Sequence, residues 1–165
     1  MREQELYPHV VNWLKRFLRE RYKKVCGIWV EDTSRTTISK FLRKHGLIKH
    51  LSWGEMLDIP VDVTGAVLLK RGNKKTVKLA IVEVKVGVIN LRNFSQLLGY
   101  AKIAIPDHAF IVSPKGWSLK LQKLVQDFKR LDILEYAQGK RIVVAKWDNV
   151  SKSVRPGDVL VPGTL

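Results

Sequence analysis

The stretch Leu79-Ala80-Ile81-Val82-Glu83-Val84-Lys85-Val86-Gly87-Val88 decides the fold, because it is apolar except for one acid and one base. An apolar run of this length, rich in β-branched residues, predicts a buried strand. Glu83 and Lys85 are two residues apart, so a strand directs both side chains to the same face of the sheet. Burial of such charges is costly unless each is paired or binds a metal. This segment therefore predicts a functional site.

A second apolar run, residues 61–69, precedes this one and begins beside another acid, Asp62. The residues between the two runs, Lys70-Arg71-Gly72-Asn73-Lys74-Lys75, are typical of a hairpin turn. The hairpin would place Asp62 and Glu83 on neighbouring strands. Carboxylate and main-chain carbonyl oxygens are the ligands that Mg²⁺ and Mn²⁺ prefer. We therefore expect a site for one of these ions, with Lys85 beside it, and the expected metal ligands are Asp62, Glu83 and Val84.

The composition indicates a folded chain that stays out of the membrane. The protein has 165 residues, of which 45% are hydrophobic, enough for one domain with a substantial core. No uncharged apolar run approaches the roughly 20 residues that span a bilayer, and the charged segment Met1–Glu5 does not resemble a signal peptide. Cys26 is the only cysteine, which excludes an internal disulfide and a cysteine-ligated cluster. We expect a soluble, cytoplasmic protein.

The charge of the chain points to a polyanionic partner. Lysine and arginine number 30 against 15 acids, giving a formal net charge of +15. Such a charge attracts nucleic acid, although it does not distinguish DNA from RNA. A generic basic surface or adaptation to heat is the alternative, but heat adaptation usually enriches lysine and glutamate together. Nucleic acid is therefore the expected partner.

The remaining periodicity predicts an α/β fold with a mixed central sheet flanked by helices. We expect one domain over residues 1–150, with a basic insertion at about 35–50, and an extended arm over 151–165, where Pro, Gly and Ser are frequent. The expected buried stripe of the last helix is Leu121, Leu124, Val125 and Phe128. The further predicted elements are helices over 4–22, 91–104 (capped by Asn90) and 117–130, and strands over 25–30, 109–113, 133–136 and 141–147.

Two motifs in this order resemble a known family. Pro60-Val61-Asp62 followed by Glu83-Val84-Lys85 resembles the signature of the PD-(D/E)XK nuclease superfamily. Gln96-Leu97-Leu98-Gly99-Tyr100 resembles the Gln-x-x-x-Tyr motif of its RecB-like branch. The resemblance covers about residues 3–113. It departs from the family in placing Val61 between Pro60 and Asp62, and in lacking the cysteines of the iron–sulfur members.

The resemblance implies a restriction-endonuclease-like α-β-β-β-α-β core, here with an extra C-terminal helix and strands. It also implies a metal-dependent deoxyribonuclease, in which Asp62 and Glu83 hold Mg²⁺ or Mn²⁺ and Lys85 assists the attacking water. In the RecB-like branch the glutamine and tyrosine, here Gln96 and Tyr100, help to position the nucleic acid and the catalytic groups. Whether such an enzyme would be an endonuclease or an exonuclease is not indicated by the sequence.

The family also places an acid of the first helix at the site. Glu3 aligns with the apolar stripe of the predicted helix and Glu5 points away from it, which favours Glu3. Glu3 can serve only if the helix begins before Pro8. Both acids could equally be first-turn residues that the helix dipole stabilises.

The basic insertion is the expected contact for phosphates outside the active site. Its cations could border the cleft because the segment lies between the first strand and the Asp62 strand. The alternative is an ordinary helical insertion with solvated lysines. The residues expected to bind nucleic acid are Arg35, Lys40, Arg43 and Lys44.

Two other functions are compatible with these residues. One is a non-catalytic nucleic-acid-binding protein on the same fold, although the five motif positions Asp62, Glu83, Lys85, Gln96 and Tyr100 all keep active residue types. The other is a Holliday-junction resolvase of the same superfamily, which acts as a dimer on branched DNA. The Gln-x-x-x-Tyr motif favours the RecB-like branch instead, and whether the chain forms a homodimer stays open.

Overall fold

A mixed seven-stranded sheet with helices on both faces forms the centre of the protein, and the computed structural model describes all 165 residues. This confirms the predicted α/β class with a mixed sheet flanked by helices. The elements in chain order are α1 (Glu3–Arg21), β1 (Val25–Asp32), α2 (Ile38–Lys44), β2 (Val63–Arg71), β3 (Lys74–Val84), α3 (Leu91–Ala104), β4 (His108–Ser113), α4 (Leu119–Gln122), β5 (Glu135–Ala137), β6 (Lys140–Asp148) and β7 (Ser153–Val159).

The sheet joins an antiparallel half to a parallel half. Strands β1, β2 and β3 pair antiparallel, and β3, β4 and β6 pair parallel. On the other edge of β6, β5 pairs with its first residues and β7 with its last ones, both antiparallel. The β2–β3 hairpin is the turn predicted from the sequence, with Val63 opposite Val82. This register brings Asp62, just before β2, level with Glu83 in β3.

The alternation of side chains along the strands divides the apolar residues into two cores. Val82 and Phe110 belong to the core beneath α1, whereas Ile81 and Ile111 belong to the core beneath α2 and α3. Each strand in the centre of the sheet is therefore buried on both faces, which explains its continuous apolar sequence. Glu83 interrupts this run at its end, where it is still only 7% exposed.

Helix α1 begins before Pro8. A start before Pro8 is what Glu3 needs in order to serve at the predicted site. Glu3 is the first residue of the helix, and Pro8 lies inside it. Pro8 has no N–H for the carbonyl of Gln4, so one intrahelical hydrogen bond is missing there. The helix is held instead by its buried stripe, which includes Leu6, Val10 and Leu14.

The largest differences from the predicted boundaries are in two elements. Strand β3 ends at Val84 rather than Val88, although the Lys85 amide still donates to the Val112 carbonyl at 2.9 Å. The helix predicted over 117–130 is regular only in α4, and residues 123–127 form a wider π-type turn. This wider turn rotates the residues that follow it. Phe128, expected in the buried stripe, is therefore 72% exposed.

The segment after Asn149 is part of the sheet and is not an arm that extends from the domain. Strand β7 lies within the expected 151–165 arm and pairs with β6, and its Val154 and Val159 are buried in the α1-side core. The pairing is interrupted between Ala145 and Trp147. This irregularity accommodates Pro156 and Gly157, because bulges and sheet edges tolerate proline.

Candidate functional site

The hairpin brings Asp62 and Glu83 into direct contact at one end of the sheet. The Asp62 amide donates a hydrogen bond to Glu83 Oε1 at 3.3 Å. The Val84 amide donates to Asp62 Oδ2 at 2.8 Å. Each carboxylate is thus held by the main chain of the opposite strand, and the two acids form a fixed pair.

Tyr7 holds the second oxygen of Asp62. The buried Tyr7 side chain projects from α1, and its hydroxyl donates to Asp62 Oδ1 at 2.9 Å. Burial and the negative charge of Asp62 raise the pKa of Tyr7 well above its usual range. The phenol therefore stays protonated as a hydrogen-bond donor. No sequence pattern indicated this role, since a tyrosine in the apolar stripe of a helix is typical of an ordinary core residue.

Glu3 and Lys85 lie on the side of the pair that borders α1. The Lys85 ammonium is 3.9 Å from Glu3 Oε1, and both side chains are partly exposed. Burial raises the pKa of Glu3, the positive charge of Lys85 opposes this rise, and the negative charge of Asp62 adds to it. The structure therefore brings together four of the predicted residues, namely Glu3, Asp62, Glu83 and Lys85.

Glu83 is the most perturbed acid of this group. Burial and then the adjoining Asp62 raise the pKa of Glu83 to about 8, against the opposing effect of Lys85. Two adjoining carboxylates in a poorly solvated position do not both ionise at neutral pH without a compensating cation. Such displaced acid pKa values are typical of functional sites, although structural networks produce them too.

The donor set of the pair fits a hard divalent cation. Both side chains offer only oxygen, the donor that Mg²⁺ and Mn²⁺ prefer. A cation would take the place of the proton that burial keeps on the pair. No group of three or more His, Cys, Asp or Glu side chains is arranged to hold a metal. Coordination would thus have to be completed by main-chain oxygen, such as the predicted Val84 carbonyl, by water or by substrate.

Asp32 is a further acid near the pair that the sequence analysis missed. It is the last residue of β1, opposite Val63, and its negative charge contributes to the raised pKa of Tyr7. Its Oδ1 accepts hydrogen bonds from the Ser34 amide and hydroxyl at 2.9 and 2.6 Å. These local bonds satisfy Asp32 within its own turn. Its position at the end of a strand was the only sequence signal.

Gln96 and Tyr100 lie together on one face of α3. The Gln96 amide donates to the Tyr100 hydroxyl at 3.2 Å, which agrees with their spacing along one helix face. Neither side chain forms a hydrogen bond with Asp62, Glu83 or Lys85. Gln96 is exposed, so this helix face is accessible to a ligand.

The four cations predicted to bind phosphate differ in how far their charge is compensated. Arg43 is 3.7 Å from Glu55, and Lys44 is 2.5 Å from Glu31. Arg35 and Lys40 are exposed and form no ion pair. Nearby acids therefore pair with two of the four cations that were expected to bind phosphate.

No protein-family model, no curated protein and no solved structure matches the chain. None of its helices combines the length and apolar character needed to cross a bilayer.

Replacing Tyr7 by phenylalanine tests whether its hydroxyl positions Asp62. We expect a loss of about 1–2 kcal/mol in the free energy of unfolding, because the partly buried carboxylate of Asp62 loses a donor. If the site cleaves DNA, the turnover number should fall by about tenfold or more, with little change in KM, because Asp62 would be misoriented.

Tyr136→Phe is the matched control for this variant. It removes another buried tyrosine hydroxyl, which donates to the Pro106 carbonyl at 2.7 Å away from the site. Thermal unfolding and steady-state cleavage would be measured on both variants. Equal losses of cleavage in the two would show that the effect of Tyr7 is only structural.

Proposed function

We propose that the protein is a Mg²⁺- or Mn²⁺-dependent nuclease that hydrolyses phosphodiester bonds of DNA. The observation that carries this proposal is the contact between Asp62 and Glu83, with the Lys85 ammonium near them, in a protein of net charge +15. A partly buried acid pair would supply a cation site, and the surplus positive charge would attract a polyanionic substrate.

The roles of the side chains follow from their positions. Asp62 and Glu83 would hold the cation, and the Val84 carbonyl is the proposed main-chain ligand. A cation bound there lowers the pKa of water and polarises a phosphoryl oxygen. Lys85 orients the attacking water or offsets the negative charge that develops on the phosphoryl oxygens. Glu3 orients Lys85, and Tyr7 holds Asp62 in place.

The chain order also supports the proposal. The elements α1, β1, β2, β3, α3 and β4 follow the α-β-β-β-α-β order that the PD-(D/E)XK resemblance implies, with α2 inserted after β1. In that case the fold is restriction-endonuclease-like, and Gln96 and Tyr100 on α3 would help to position the nucleic acid and the catalytic groups. Membership of this superfamily and of its RecB-like branch is part of the proposal.

A digestion experiment tests the proposed activity. The protein would be incubated with linear, circular, single-stranded and branched DNA in Mg²⁺, in Mn²⁺ and in EDTA. We expect cleavage with either ion and none in EDTA. Cleavage of circular DNA would indicate an endonuclease, and preferential cleavage of branched DNA would favour a resolvase. The absence of cleavage of every substrate with both ions would contradict the proposal.

A non-catalytic nucleic-acid-binding protein is the second candidate. The observation that favours it is that both oxygens of Asp62 already accept hydrogen bonds from protein groups. Calorimetric titration of the EDTA-treated and dialysed protein with Mn²⁺ separates the two functions. We expect one binding event that is lost in Asp62→Asn. A titration without binding heat would favour the second candidate.

A further inference from the structure

A cleft with a volume of about 980 Å³ lies at the end of the sheet opposite the acid pair. One wall is the turn between α1 and β1, and the other is the β2–β3 hairpin. The two walls adjoin because Val25 of β1 pairs with Leu69 of β2. Five of the eight residues that line the cleft are cations, namely Arg21, Lys23, Lys24, Lys70 and Arg71.

The positive charge of this cleft is not compensated. None of its five cations forms an ion pair, and neither do Lys74 and Lys75 on the same hairpin. Residues 21–30 and 63–82 contain no acid at all. This contrasts with the basic insertion, where Glu55 and Glu31 pair with Arg43 and Lys44. The uncompensated charge is therefore concentrated at the hairpin end of the molecule.

Structural roles account for only part of this cluster. Cations in the last turn of a helix interact favourably with its dipole, which explains Arg21 at the end of α1. Lysines on an edge strand discourage association with other sheets. The hairpin cations project beyond the last pairs with β1 and β4, which involve Leu69 and Ala80. An edge role therefore applies to each strand separately and does not explain why cations of both walls line one cleft.

The lining of the cleft favours contact with a sugar–phosphate backbone over contact with bases. Single strands are held largely by stacking of bases on exposed aromatic rings. Tyr22 is the only aromatic residue in the lining, and its hydroxyl is bonded to His108 Nε2 at 2.6 Å, with the ring half-buried. The available contacts are therefore cations, which bind phosphates without regard to sequence.

We propose that this cleft is a second binding surface for the phosphate backbone of duplex DNA. Asp62 and Lys70 lie at opposite ends of β2, roughly 26 Å apart at ~3.3 Å per residue. One duplex segment of about eight base pairs covers that distance at ~3.4 Å per pair. The surface therefore anchors DNA away from the acids. This inference rests on the proposed function in taking DNA as the ligand, although the binding itself needs neither metal nor hydrolysis.

The test compares two triple variants that lower the net charge equally. The first changes Lys70, Arg71 and Lys74 to glutamine. The control changes Lys120, Lys123 and Lys129 to glutamine, three exposed lysines without ion pairs near α4. Binding to a fluorescent DNA duplex would be measured by anisotropy in EDTA over a range of salt concentrations, so that no hydrolysis takes place.

We expect the cleft variant to lose affinity by about tenfold near 0.1 M salt, and its logarithmic salt slope to fall by about 2 to 3. The control should change affinity by about twofold or less, because its charges act only at long range. Equal losses of affinity in the two triple variants, or an unchanged affinity and salt slope in the cleft variant, would overturn the inference. The inference would also be overturned if the cleft variant retained DNA binding but lost binding to phosphatidylserine vesicles.

A further variant separates the effect of a lost charge on DNA binding from an effect on folding. Lys24 has a φ of +58°, a conformation that favours glycine. Lys24→Gly therefore removes one cation of the cleft while relaxing the backbone. We expect an unchanged or higher unfolding temperature together with weaker DNA binding and a lower salt slope. Unaltered binding by this variant would count against the cleft. Cleavage is assayed separately, so failure of the proposed activity and failure of this surface are distinct results.

Discussion

Glu83→Gln and Lys85→Ala are each expected to abolish metal-dependent cleavage of DNA while leaving duplex binding within about twofold of wild type. Glutamine keeps the shape of Glu83 but removes the charge that would hold the cation, and alanine removes the ammonium that we propose lies near the reacting phosphate. Loss of a cation site or of a preorganised charge lowers turnover by about 10³-fold or more. Binding is spared because the uncompensated cations of the cleft lie at the opposite end of the sheet from Glu83 and Lys85.

The chain contains its own control for these variants. Asp127-Phe128-Lys129 repeats the acid-x-lysine triplet, but its acid and its lysine are exposed and form no hydrogen bond or ion pair with Asp62, Glu83 or Lys85. Asp127→Asn and Lys129→Ala should therefore cleave like wild type. Cleavage would be measured under single-turnover conditions with Mg²⁺, and binding in EDTA. Undiminished cleavage by Glu83→Gln or Lys85→Ala would refute the assignment of catalytic residues.

The second large effect concerns stability and pH. The pKa of Glu83 is raised from 4.5 to about 8 in the folded chain, mainly by burial and then by Asp62. At intermediate pH the folded chain therefore holds a proton that the unfolded chain releases. The tighter binding of this proton by the folded chain stabilises it. The stabilisation is fully present below about pH 4.5 and is lost as the pH rises towards about 8. Metal-free wild type should lose a few kcal/mol of unfolding free energy over this range, at about 1.4 kcal/mol per pKa unit.

Glu83→Gln should remove this pH dependence, because its amide is neutral throughout. The variant should match wild type near pH 5 and exceed it by a few kcal/mol near pH 8, as measured by urea denaturation in EDTA. Glu20→Gln, at an exposed acid of α1, controls for the general loss of one negative charge. Added Mn²⁺ should stabilise wild type at pH 8 and leave Glu83→Gln unchanged. Parallel pH profiles for wild type and Glu83→Gln would contradict the buried-pair interpretation.

Much of the fold could be predicted because its central elements have unambiguous periodicity. The apolar runs on both sides of Gly72-Asn73 fixed the hairpin, and Asn90 and Pro106 fixed the ends of α3. The errors lie where tertiary contacts override local signals. The π-type turn after α4 exposes Phe128, and β7 tolerates Pro156 and Gly157 because the buried valines beside them complete the core.

The candidate site was predictable only where sequence spacing determines geometry. The hairpin register is enough to bring Asp62 next to Glu83. It does not reveal Tyr7, whose contact with Asp62 depends on how α1 crosses the sheet. Helical spacing places Gln96 beside Tyr100, but the direction of their face is set by the burial of Phe94, Leu97 and Ala101 against the core. Sequence spacing thus predicts which residues are neighbours within a helix or hairpin. The contacts between separate elements depend on how those elements pack.

Helix α1 is the only helix that covers its face of the sheet, and it also carries Glu3 and Tyr7. Detachment of this helix would uncover the core beneath it and separate both residues from Asp62 and Lys85 in a single event. Assembly of the site is thus thermodynamically linked to docking of this helix. Amide hydrogen exchange in α1 would therefore report the fraction of molecules with a complete site.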